Sequence, residues 1–340
     1  MRLFLKLTTL FVIIAVGVLL YISISYNNFV NSSPDGRNEP RMVNIQHGSS
    51  AVAVLAKLER EGVITSSRMF YYFGRINGKL GEIKYGEYEF TTSMKPHEVL
   101  NKLITGDVKK YKVTIPEGYN IYQVADTVSY VLTGINKDDF IRRAKSKEFA
   151  KSLGLDAPML EGYLFPDTYY FTKDTHLDAI ITKMVNNHKR FFSERQTERA
   201  KALGMTLHEV ITLASIIEKE TSKVDEMPII SAVFHNRLAK GMRLQTDPTV
   251  IYGIEDFNGN LTRKDLETTT PYNTYRIKGL PPTPIANPGL QAIKAAMFPA
   301  EVPYLYFVSK NNGTHFFSTD FKEHRNAVNK YQIRREKAED

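Results

Sequence analysis

No cysteine occurs in the 340 residues, and that absence removes a lipoprotein anchor, a disulfide framework and any thiolate metal site together. Also missing are a G-x-S-x-G elbow, a glycine-lysine phosphate loop and a G-x-G-x-x-G turn, so serine-hydrolase, P-loop and dinucleotide chemistries lack their signatures. The histidines make no zinc helix: His208-Glu209 is followed at position 212 by Thr, and His315 and His324 are too far apart for a local pair. His235 beside Asn236 reads as a loop or cleft residue rather than a ligand. Neither cofactor nor metal is expected, and carboxylate chemistry is what remains.

Charge is absent from Leu7 to Pro34. Within that stretch LTTLFVIIAVGVLLYISI, residues 7–24, is long enough at 1.5 Å per residue to cross about 30 Å of hydrocarbon. Arg2 and Lys6 precede it, which keeps the N-terminus cytoplasmic and exports the rest. The run is longer than the apolar stretch of a cleaved signal peptide and no A-x-A follows, which favours a retained anchor. Residues 1–25 are thus expected to be a cytoplasmic N-terminus and single transmembrane anchor, touching membrane lipid through 7–24. Residues 26–40 (YNNFVNSSPDGRNEP) read as a flexible tether. The net charge of +8 suits an acidic partner such as a phospholipid surface or an anionic wall polymer. Export argues against nucleic acid.

Val43-x-Ile45-x-x-Gly48, followed by apolar Val54, Leu55 and Leu58, recurs seventy positions on as Val113-x-Ile115-x-x-Gly118 with Val124, Ala125 and Val128. Each copy predicts strand, glycine turn and helix. Between them lie a helix over 67–75, a strand over 83–90 and a helix over 96–104 ending at Gly106. The fold class is α+β: a small α/β module over 41–110, a larger mixed helix-and-sheet domain over 111–330, and a charged tail over 331–340.

Four loops of the larger domain are dense in Tyr, Asn, Thr and Pro: 161–171, 243–253, 271–275 and 279–289. Flat aromatic faces beside short polar groups are what a sugar-binding cleft needs. Glu161, Tyr163, Asn236, Gln245, Asp247, Tyr252, Tyr272 and Asn273 are the candidates for binding sugar. Packing or turn formation is the alternative for each, and Asp247 before Pro248 suits a turn.

Thr206-Leu-His-Glu209 is a capping box that should open a helix. At 100° per residue Val210, Ile211 and Ala214 fall within about 60° of Leu207, and Glu218 at about 20° sits in the middle of that apolar stripe. Glu220 falls on the opposite side, as an ordinary surface residue. A carboxylate on an apolar face is expected to titrate above its usual range. It would then be either a general acid or one half of a structural ion pair, with Arg237 or Arg243 as partner.

These residues also carry a resemblance. In order, EGYLFPDTY (161–169), ASIIEKET (214–221), NRL (236–238), GMRLQTDPTVIYG (241–253), YNTY (272–275), GLPP (279–282) and YLYFV (304–308) resemble the endolytic murein transglycosylases of the YceG-like family. The resemblance spans nearly the whole chain. It implies that Glu218 is the catalytic glutamate, that the module over 41–110 is LysM-like, and that 111–330 is the catalytic domain. The implied substrate is nascent peptidoglycan, cut between N-acetylmuramic acid and N-acetylglucosamine beside penicillin-binding synthases. The implied location is the inner membrane, with the catalytic domain in the periplasm. One departure is Thr283, where many relatives carry Gly; a β-branched residue there disfavours positive φ. The expected product is a 1,6-anhydro end. A hydrolase with Asp247 or Glu161 as second carboxylate and a non-catalytic wall-binding scaffold are the rivals.

Overall fold

The computed structural model describes residues 1–192 and 194–333. Most of the tail expected over 331–340 lies outside the described residues. The chain divides into two compact units, Met1–Tyr111 with Phe171–Asp174, and Lys112–Tyr170 with the residues from Thr175 onward.

The first unit begins with α1 (Arg2–Asn31), a helix long and apolar enough to cross a membrane. It runs further than the anchor expected to end at residue 25. Tyr26, Phe29 and Val30 repeat at helical spacing and pack on the unit's core, with the Phe29 ring set edge-on to Phe70 and Phe73. The polar neighbours that suggested a tether mask this short apolar stripe. Downstream, Thr92 donates to Asp35 at 2.6 Å, so the supposed tether is fastened at both ends.

Strand β1 (Pro40–Ile45) pairs antiparallel with β2 (Gly86–Thr91), with Val43 opposite Tyr88. Alternation turns Val43, Ile45, Tyr88 and Phe90 inward. They meet the buried faces of α2 (Ala51–Arg60), α3 (Ser67–Ile76) and α4 (Pro96–Thr105). The last helix ends on left-handed Gly106, at φ 72°.

Strand β3 (Tyr111–Thr114) pairs with β4 (Thr168–Phe171), all but their end residues Tyr111 and Phe171 belonging to the second unit. Helices α5 (Ile121–Val131), α6 (Lys137–Ala144) and α7 (Lys147–Ser152) lie between them in sequence. Both copies of the repeat fold as expected: strand, a glycine at φ 79° or 75°, then a helix that buries the paired apolar positions. After β4 come α8 (Leu177–Lys189), α9 (Glu194–Ala202), α10 (Leu207–Glu220) and α11 (Met227–Ala239). Then follow α12 (Asp247–Tyr252), α13 (Arg263–Glu267), α14 (Leu290–Met297), the antiparallel pair β5 (Tyr306–Ser309) and β6 (His315–Ser318), and α15 (Phe321–Val328).

The capping box at Thr206 and Glu209 opens α10 as expected. This helix is buried on all sides from Val210 to Ile217, packed by α9, α11, α12 and α14. Its polar members are satisfied locally: Thr212 donates to the His208 carbonyl, and Ser215 to the Thr212 carbonyl while accepting the Ile285 amide. A helix enclosed in this way has no solvent face along its middle turns.

Candidate active site

Glu218 lies in the last turn of α10, half-buried, where the helix leaves the core. Two loops meet it there. The turn before α5 sets Gly118 against the Glu218 side chain, where an added Cβ would stand 3.5 Å from Cγ. The turn before α14 brings the Gly289 amide to donate to Oε2 at 3.0 Å. The loops are tied to each other: the Gly118 amide donates to the Asn287 carbonyl at 2.9 Å, and the Asn287 amide to the Tyr119 carbonyl at 2.8 Å.

Burial pushes the Glu218 carboxyl above the usual range; the Gly289 amide and Lys219 oppose this, and the nearby Glu117 carboxylate adds to it. Lys219 is itself turned to the Gly118 carbonyl at 3.3 Å. No ion pair to Glu218 occurs among the described residues. Of the two arginines considered as its partner, Arg237 is spent on the carbonyls of Leu305, Arg243 and Leu244, and Arg243 is exposed. Beside this turn a cleft of about 820 Å³ is lined by Gly118, Tyr122, Lys219, Ile251, Tyr252 and Glu255. A roomier cleft of about 1000 Å³ between α9 and α14 is lined by Arg190, Arg195, Arg199 and apolar side chains, and holds none of the expected site residues.

The expected sugar-binding residues divide. Gln245 is exposed and its backbone is left-handed at φ 51°, a conformation uncommon for a side chain of this kind. Asp247 is exposed and accepts the Tyr275 hydroxyl at 2.6 Å. The Tyr252 ring lines the cleft and meets Tyr272 edge-on at 5.0 Å. Gln245 and Asp247 are thus open to solvent and Tyr252 offers its ring, while the hydroxyls of Tyr252 and Tyr272 are already bonded to Glu161 and Thr283.

The other four are corrected by their surroundings. Glu161 is wholly buried, accepting the Ile121 amide at 3.1 Å, the Tyr252 hydroxyl at 2.8 Å and the Asn287 side chain at 3.3 Å. Burial pushes it up to about 7. Tyr163 is buried, with its hydroxyl 2.8 Å from His208 Nδ1. Asn236 donates to the carbonyls of Val302 and Tyr304. Asn273 is wholly buried and donates to the carbonyls of Asp265, Leu266 and Thr268. They fix loops to one another; Glu161, Tyr163 and Asn273 do so from buried positions, and Asn236 from a half-buried one through its side-chain nitrogen. The loop expected over 243–253 contains α12, begun by Asp247 and Pro248.

Glu220 is corrected as well. Its carboxyl turns inward to accept the Thr246 hydroxyl, and burial with the Asp247 charge pushes it up to about 7. The helical wheel misplaced it because the 243–247 segment covers the side of α10 that was taken as solvent. Thr283 has no positive φ; its hydroxyl bonds Tyr272 at 2.8 Å.

Glu117 was missed, and Asn287 and Gly289 were read only as part of the 279–289 loop, with no role at Glu218. Signals existed, since Glu117 precedes the repeat glycine Gly118 and Gly289 ends an Asn-Pro-Gly turn.

The YceG-like family matches residues 43–330. A protein named endolytic murein transglycosylase from Bacillus subtilis is 36% identical over 305 residues, covering 85% of this chain and 84% of that protein. One of the same name from Streptococcus pneumoniae is 28% identical over 313 residues, covering 83% of this chain but 56% of the relative. The crystal structure of a YceG-like protein from Listeria monocytogenes aligns with TM-score 0.59 at 34% identity, covering 85% of this chain and 99% of that one.

Proposed function

The chain belongs to the YceG-like family, and from that premise we propose that it is a membrane-anchored lytic transglycosylase that cleaves peptidoglycan within its glycan strands, with Glu218 as acid and then base. The observation that carries this reading is a half-buried carboxyl, raised above its usual range and free of any cation pair among the described residues, beside an open cleft.

Protonated Glu218 donates to the glycosidic oxygen as the bond from muramic C1 breaks. The ring's own 6-hydroxyl then attacks C1 and gives its proton to the Glu218 carboxylate. The acid is regenerated, no water is consumed, and the strand ends in a 1,6-anhydro sugar. A tethered hydroxyl has a high effective molarity, so the chemistry needs no second carboxylate to activate water. Acid–base assistance of this kind is worth about 10²- to 10⁴-fold. Gln245, Asp247, Tyr252 and Tyr272 are the side chains we assign to the sugars.

The apolar helix α1 would hold the enzyme at the cytoplasmic membrane, with the rest of the chain on the far side. We further assign residues 41–110 as a LysM-like module, a reading supported by its two-stranded sheet and the helices α2 and α3. Synthases that make glycan are the expected neighbours.

The test is the full chain in detergent with purified peptidoglycan in H₂¹⁸O, beside Glu218→Gln, with products weighed. Anhydro ends without ¹⁸O, lost in the variant, are expected. A terminal muramic acid carrying ¹⁸O would overturn the anhydro route in favour of hydrolysis.

A further inference from the structure

Glu117 stands in the turn between β3 and α5, one residue before the left-handed Gly118 that packs on Glu218. It is exposed, and its carboxyl group lies directly on Gly289, where any side chain would run into it. Gly289 is also the residue whose amide donates to Glu218. Two carboxyl groups therefore flank one glycine, and the absence of a Cβ at 289 is what lets them approach.

We infer that Glu117 is a positioning residue for the reaction proposed above: its negative charge, facing Glu218 across Gly289, keeps the proton on Glu218 until a glycosidic oxygen takes it. The inference rests on that reaction. Two carboxylates sharing a site cannot both ionise cheaply, so the more buried one retains its proton. The other charges around α10 do not duplicate this effect. Lys219, on the same helix, acts in the opposite sense. Arg237 of α11 and Asp247 of α12 face Glu220, Arg199 of α9 is bonded to the Met297 carbonyl, and Lys294 of α14 lines the larger cleft.

The experiment is the pH dependence of kcat/KM for glycan cleavage by the full chain in detergent, comparing the parent with Glu117→Gln, Glu117→Asp and Lys219→Met. Activity needs protonated Glu218 and so declines on the alkaline side. Without the Glu117 charge that limb is expected to move to lower pH, a several-fold loss on the alkaline side that shrinks as the pH falls. Glu117→Asp should restore the profile, and Lys219→Met should move the limb upward. A Glu117→Gln profile scaled down without displacement would overturn the inference. Should Glu117→Gln fail to fold, Glu117→Ser, which also removes the charge, takes its place. If Glu218→Gln cleaves as well as the parent, the reaction itself is misassigned; if only the Glu117 profiles disagree, the reaction stands and the role of Glu117 does not.

Discussion

Glu161 and Glu218 are both carboxyl groups that burial pushes above the usual range, yet their surroundings put them to opposite uses. Around Glu161 the amide of Ile121, the hydroxyl of Tyr252 and the side chain of Asn287 occupy the oxygens, and no surface is exposed. Around Glu218 one donor among the described residues, the Gly289 amide, holds one oxygen, and the cleft runs past its neighbours Gly118 and Lys219. A raised titration range alone therefore does not identify an acid catalyst. What distinguishes the two is whether a proton can leave for a ligand, which requires an unoccupied lone pair and access.

The widest separation between the two regions is expected from Glu218→Gln, which should lower glycan cleavage by about 10²- to 10⁴-fold while leaving the thermal midpoint within a degree or two. Equal cleavage by the variant would erase the distinction. Glu161→Ala should do the reverse. It strands several buried donors and is expected to destabilise the second unit by about 3 kcal/mol, read by chemical denaturation; an unchanged midpoint would show that the buried knot holds nothing together.

A pH series sharpens the contrast further. Glu161 and Glu220 titrate at about 7 in the folded chain against 4.5 for a free carboxyl. Between those values the folded state binds protons that the unfolded state has released, so both groups favour folding most below about 4.5. That advantage is lost as the pH rises through about 7. The midpoint should drop by a few degrees between pH 5 and pH 7.5, and Glu161→Gln and Glu220→Gln should each flatten the slope; a midpoint that climbs over this window would contradict the burial of both. The smallest effect is expected at the far end of the catalytic helix. Thr206→Ala removes an N-cap and should cost about 1 kcal/mol without displacing the pH–activity curve, whereas a displaced curve would mean that the helix end tunes Glu218.

Local pattern made much of the fold legible. The uncharged run, both strand–glycine–helix copies, Gly106 as a helix stop and the Thr206 capping box depend on neighbours within a few residues. Glu218 was legible for the same reason, since three turns of α10 set its direction. Tyr26, Phe29 and Val30 show where this legibility thins: a stripe of three apolar residues was outweighed by the Asn and Ser around it.

The sequence by itself determined the elements, the anchor-length helix and the direction of Glu218, because hydrogen-bond geometry within a helix or strand is set by adjacent residues. Only the tertiary structure decided that Glu161, Tyr163 and Asn273 are spent inside, that Asn236 ties down the Val302 and Tyr304 carbonyls, that Glu220 turns to Thr246, and that Glu117 and Gly289 stand at Glu218. Those outcomes depend on which distant segment supplies a donor or excludes water at each side chain, and no periodicity within one segment encodes its partner in another.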